Sequence, residues 1–144
     1  MKKMMGIAIF LVLMPTMVFA EVKTELIKYK QGDTDLDGYL VYDDAIKEKR
    51  PGVLVVHDWM GFADYSNNRA KMLAELGYVA LAVDIYGQSV RPKNTDEASQ
   101  QATKYKTDRA LMRARIQAGL DELKKNPLVD TTRTELSTKA DARR

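Results

Sequence analysis

The stretch VLVVHDWMGFADYSNNRAKMLAELGYVALAVD, Val53 to Asp84, decides the fold. It opens with Val53-Leu54-Val55-Val56, a continuous apolar run rather than an alternation, the pattern of a strand buried on both faces of a parallel sheet. Asp64, Ser66 and Asn67 then offer helix N-caps. Ala70, Leu73 and Ala74 recur at helical spacing, and Gly77 suits the residue just past the helix end. A second buried run, Val79 to Val83, stops at Asp84. Strand, helix, strand: residues 53–84 read as one βαβ unit, and the fold class is α/β with a doubly wound sheet.

Upstream, Val22, Thr24 and Leu26 alternate in EVKTELIKYK, which predicts a strand. The turn-rich QGDTDLDG and the β-forming YLVY complete a hairpin, followed by a polar connector, DDAIKEKRPG, that breaks at Pro51-Gly52. Downstream, a polar loop over 84–97 leads into one long helix from about Ala98 to Lys125. Met112, Ile116, Gly119, Leu120 and Leu123 form its core-facing stripe, and Pro127 closes it. From Thr131, TTRTELSTKADARR shows neither alternation nor a helical stripe and reads as a solvated tail. The domain layout is therefore residues 1–20 as a signal peptide, 21–130 as the α/β domain and 131–144 as a tail foreign to it.

The signal-peptide reading rests on Lys2 and Lys3, the apolar GIAIFLVLMPTMV, and Val18-Phe19-Ala20 as a cleavage site. Cleavage leaves 124 residues beginning at Glu21 and no stable membrane anchor, so the expected location is periplasmic or secreted. The 144 residues contain no Cys, which excludes a disulfide framework and a thiolate metal site within them. Net charge is only +3, with both signs interleaved and no basic run carrying aromatics, so nucleic acid is not an expected partner.

Two constellations could carry chemistry. Asp33, Asp35, Asp37, Gly38 and Asp44 match a calcium loop in spacing, but strands flank them where helices are needed, and Asp44 stands where a bidentate Glu is usual. A hairpin turn with water-facing aspartates is the preferred reading, with no metal or other cofactor expected. Calcium binding over 33–44 is kept as an alternative. His57, the single histidine, stands at a strand end where ligands gather in open α/β sheets. As a catalytic base it would need Ser66 or Ser89 as nucleophile and Asp84 as orienter, yet neither serine sits in a Gly-x-Ser-x-Gly elbow. A histidine hydrogen-bonded to backbone is the simpler expectation.

His57-Asp58-Trp59-Met60-Gly61, Leu76-Gly77-Tyr78 and Asp84-Ile85-Tyr86-Gly87 together resemble the N-terminal part of dienelactone hydrolases, a branch of the α/β-hydrolase fold. Gly32-Asp33-Thr34 and Gly38-Tyr39-Leu40 fit the same family, and the likeness runs from about Val22 to Asp130. It implies a hydrolase of small-molecule ester or lactone bonds. Backbone N–H groups of Trp59 and Met60 would hold the oxyanion, and Asp58 would stand where the family has a Glu touching the nucleophile. The resemblance also implies a substrate-carboxylate arginine near the Asp-x-Tyr-Gly motif. Arg91 is near and Gln88 nearer the offset, so none is assigned. The family's Gly-x-Cys-x-Gly elbow belongs after Asp130, and the sequence there has no Cys, no elbow and no histidine. The expectation is a longer hydrolase read short or out of frame from about Thr134, its nucleophile absent and the chain inactive alone. A non-catalytic periplasmic α/β binding domain is the alternative from another class.

Overall fold

A computed structural model describes residues 21–137; the proposed signal peptide lies outside them. Among the described residues, five strands form one sheet in the order β1-β2-β4-β3-β5. β1 (Val22–Gln31) and β2 (Thr34–Asp43) make the expected antiparallel hairpin. β3 (Arg50–Val56), α1 (Asp64–Glu75) and β4 (Val79–Val83) make the βαβ unit, with Val56 level with Val83. α2 (Thr95–Thr107) and α3 (Arg109–Lys124) then lead to β5 (Val129–Ser137), which lies parallel to β3. No helix among the described residues is long and apolar enough to cross a membrane.

The hairpin turn is tighter than its composition suggests. Gln31 pairs with Thr34, so only Gly32 and Asp33 turn, with Gly32 at φ +57°, as primed hairpin turns require. Asp35 and Asp37 therefore lie in β2 rather than in a loop. Asp35 pairs with Lys30 at 2.9 Å, and Asp37, contrary to the water-facing expectation, is buried against Arg91 at 3.1 Å. Each of these carboxylates has a basic partner of its own, and no cluster suited to a metal occurs among the described residues.

α1 ends as its glycine predicts. Gly77, at φ +92°, donates to Ala74 O, and Tyr78 N donates to Leu73 O, the paired bonds of a Schellman end. At its start the cap is Ala63, with no side-chain cap; Asp64 sits in the first turn beside the positive end of the helix dipole.

Three expectations need correction. The single helix over 98–125 is two helices, broken at Asp108. Its backbone leaves helical geometry while its carboxylate accepts from Leu111 N at 2.9 Å, capping α3. The polar connector ends earlier than Gly52, because Arg50, Pro51 and Gly52 already belong to β3. Proline is tolerated at a strand start, and the Arg50 guanidinium is buried and donates to Asp43 O at 2.6 Å. The solvated tail from Thr131 is also a strand through Ser137. Its β-branched threonines suit an extended backbone, and among the described residues it pairs on one side only, with β3. An irregularity sets in after Asp130, whose carboxylate accepts from Thr132 N, Thr132 Oγ1 and Arg133 Nε; the ladder resumes at Gly52 with Thr134.

Both sheet faces are covered, as the continuous apolar runs require. On one face Ala80 and Ala82 meet Ala70 and Ala74 of α1, small side chains that permit close approach. On the other, Leu36, Leu40, Leu54, Leu81 and Leu123 form the main core, flanked by Met112, Ile116 and Leu120 of the predicted stripe. Gly119 belongs there for want of a side chain: a Cβ would lie 2.6 Å from Val83 Cγ1.

Candidate active site

Because β3 and β4 run parallel and in register, His57 and Asp84 leave the sheet side by side at its C-terminal edge. The two loops that follow are bolted to each other. Ile85 N donates to His57 Nε2 at 3.1 Å. That nitrogen must therefore be the acceptor, and Nδ1 carries the proton donated to Asp58 O at 2.6 Å. Tyr86 Oη donates to Trp59 O at 2.9 Å, tying the second loop to the first. The Tyr86 hydroxyl is pushed up to about 12, mainly by burial, so it remains a donor.

Within the first loop, Asp58 O accepts from Gly61 N at 3.1 Å and Asp58 Oδ1 from Met60 N at 2.9 Å. Gly61 turns at φ +92°, where a Cβ would press on Tyr86 Cδ2 and Pro92 Cδ at 3.2 Å. The loop is thus a closed turn held by Asp58. Of the two amides assigned to the oxyanion, that of Met60 is committed to the Asp58 carboxylate.

The second loop is organised by Asp84, which is fully buried. Its Oδ1 accepts from Tyr86 N and Gly87 N at 2.9 and 3.0 Å, and its Oδ2 takes Arg91 Nη1 at 2.9 Å. Arg91 also donates to Gly87 O, Val90 O and Asp37 Oδ2, and its guanidinium lies 5.2 Å from the Phe62 ring centroid. Arg91 is thus a clamp across β2, β4 and the loop. The sequence did not signal this clamp, because its partners Asp37 and Asp84 are far apart along the chain.

Between the loops and the two helices lies a cavity of about 170 Å³. Val56, Ile85, Tyr86, Ala102, Tyr105 and Met112 supply its apolar wall, with His57, Asp58, Trp59 and Lys106 completing it. Ala102 and Tyr105 come from α2 and Met112 from α3, the two helices that meet at Asp108. The Ser-His-Asp set that the sequence disfavoured does not assemble around the cavity, and His57 is bonded to backbone as expected. Ser66 is buried and donates to Ala63 O, neither Ser66 nor Ser89 lines the cavity, and the Asp84 oxygens are bound to its own loop and Arg91.

Burial pulls the His57 imidazole below its ordinary value of 6.5, against the opposing pull of its bond to Asp58 O and of the Asp84 and Asp58 charges. A base that resists protonation when folded adds no pH dependence of its own to stability well above 6.5. Stability then falls as pH drops below 6.5, where the unfolded chain binds a proton that the folded chain refuses. We expect the single imidazole, followed by NMR, to titrate below 6.5, and the urea midpoint to drop as pH falls below 6.5. Titration at or above 6.5 would contradict the buried, neutral ring.

The dienelactone hydrolase family model matches residues 36–136, past the boundary at Asp130 drawn from the sequence. The hydrolase fragment YghX of Escherichia coli (strain K12) is 34% identical over 91 residues, covering 56% of this chain and 78% of that protein. Among solved structures, a dienelactone hydrolase-like promiscuous phosphotriesterase, P91, from metagenomic libraries superposes with a TM-score of 0.78 at 32% identity, over 83% of this chain and 49% of that one. The structure titled m3DLH does so with a TM-score of 0.78 at 34% identity, over 81% and 49%. The chain spans about half the length of these solved relatives. The family match over residues 36–136 and the similarity to these relatives agree, and the chain belongs to the dienelactone hydrolase family.

Proposed function

We propose that these residues form the acyl-binding and oxyanion side of a hydrolase acting on small-molecule ester or lactone bonds. The observation that carries the reading is the apolar cavity bounded by the His57–Gly61 turn at the C-terminal edge of the parallel strands. When a nucleophile adds to an ester carbonyl carbon, the carbonyl π electrons move to oxygen, and a preorganised N–H there stabilises the charge. Trp59 N–H is the donor in this proposal; it belongs to the Asp58–Trp59 peptide, whose carbonyl, Asp58 O, is held by His57 Nδ1 and Gly61 N, while the Tyr86 bond to Trp59 O fixes the next peptide. Asp58 keeps the turn closed rather than acting on a proton. His57 positions one loop against the other through both ring nitrogens and is not the base.

The 144 residues hold no Cys and no Gly-x-Ser-x-Gly, so they supply a binding half without an attacking group, and the chain alone is proposed to be inactive. The test is an NMR titration of the labelled chain with phenyl acetate, followed by an assay on 4-nitrophenyl acetate. Amide shifts concentrated at residues 57–61 and 85–86, with no saturable turnover, are expected. Shifts elsewhere, or turnover that His57→Ala abolishes, would overturn the reading.

A further inference from the structure

We propose, resting on that reading, that the cavity selects an uncharged aromatic or compact branched group and disfavours carboxylate-bearing ligands. Its volume, about 170 Å³, is that of a single-ring pocket: a protein cavity of about 150 Å³ lined by aliphatic and aromatic side chains accepts benzene. Two of its walls are aromatic and already arranged. Tyr86 and Tyr105 stack at 5.2 Å, and His57 meets Tyr86 edge-on at 4.6 Å. A ring entering beside them finds both faces and edges to pack on.

Charge decides the rest. The arginine nearest the Asp84-Ile85-Tyr86-Gly87 motif is Arg91, and its guanidinium is already bound to Asp84, Gly87, Val90 and Asp37; it does not line the cavity. Asp58 stands in the wall, where its charge opposes an entering carboxylate. Among the described residues that line the cavity, Lys106 is the one Lys or Arg, and it is an exposed residue of the last turn of α2, where solvent and salt screen its charge. A carboxylate entering here gives up hydration for apolar walls without the bidentate partner that would repay it.

Trp59 lines the cavity and is the single tryptophan of the chain, so its emission reports occupancy directly. The full chain is titrated at pH 7.5 with methyl benzoate and, separately, with benzoate. A saturable change with methyl benzoate, at least tenfold tighter than with benzoate, is the expected result. Ala102→Phe, which fills the cavity from α2, should remove it; Ala102→Leu serves the same purpose if the larger residue disturbs folding by circular dichroism. Benzoate binding as tightly as its ester would overturn the charge selectivity, with Lys106 then supplying the counter-charge, and would leave the hydrolase reading standing. Emission unchanged by methyl benzoate would overturn the selectivity outright, and the NMR titration with phenyl acetate then tests the hydrolase reading separately. Methyl benzoate binding that survives both Ala102 variants would place the ligand elsewhere and overturn the proposal.

Discussion

Asp84→Ala should destabilise the chain by about 3 kcal/mol, read as a lower urea midpoint. Removing the carboxylate strands the Tyr86 and Gly87 amides inside the protein, and each buried orphan donor costs roughly 1–3 kcal/mol. It also leaves Arg91 without its fully buried partner. Breaking a fully buried pair costs about 3–5 kcal/mol, but Arg91 is 36% exposed, so solvent screens part of that loss. Asp84→Asn separates the two contributions. The amide oxygen can still accept from Tyr86 and Gly87, whereas the charge facing Arg91 is gone, so a smaller loss is expected, about half that of the alanine variant. A loss below about 1 kcal/mol for Asp84→Ala would mean that the loop holds its shape by other contacts. In that case the line from Arg91 through Asp84 to Tyr86 and Trp59 would not position the site.

Leu81→Ala is the second large expectation, at about 3–4 kcal/mol within the 2–5 kcal/mol range for buried leucines. Leu81 is fully buried in β4 and sits level with Leu40 on one neighbouring strand and Leu54 on the other. Its Cδ1 lies 3.0 Å from where a Cβ on Gly38 would be, so the side chain fills space that the glycine leaves open. Strands paired on both sides cannot close inward around the lost volume, and the cavity contribution is retained. The urea slope should stay unchanged while the midpoint falls. Met72→Ala, at an exposed position on α1, is the control, with an effect inside about 0.5 kcal/mol. Similar losses at both positions would argue against a packed core on this face of the sheet.

Much of the architecture was legible locally. Two short apolar runs without alternation read as strands buried on both faces, and Ala70, Leu73 and Ala74 before Gly77 announced a helix and its end. His57 at a strand end, Asp84 at another and the motifs around them located the site by connectivity. Other features were hidden because their signal was weak or their partners distant. The helix break at Asp108 carried a capping signal easily lost within a continuous polar-apolar pattern. β5 carried no continuous apolar run, and only its pairing with β3 defines it as a strand.

The sequence by itself determined the α/β class, the family and which loops face the ligand edge, since these follow from local periodicity and short motifs. Tertiary structure alone decided what those loop residues do. It placed Asp37 and Asp84 on one guanidinium, turned the Met60 amide toward Asp58, gave both His57 nitrogens backbone partners, and brought Tyr105 and Met112 to the cavity wall. The physical reason is range. Backbone propensity and burial patterns act over a few residues, whereas hydrogen-bond satisfaction of buried polar groups is settled only when strands distant in sequence lie side by side.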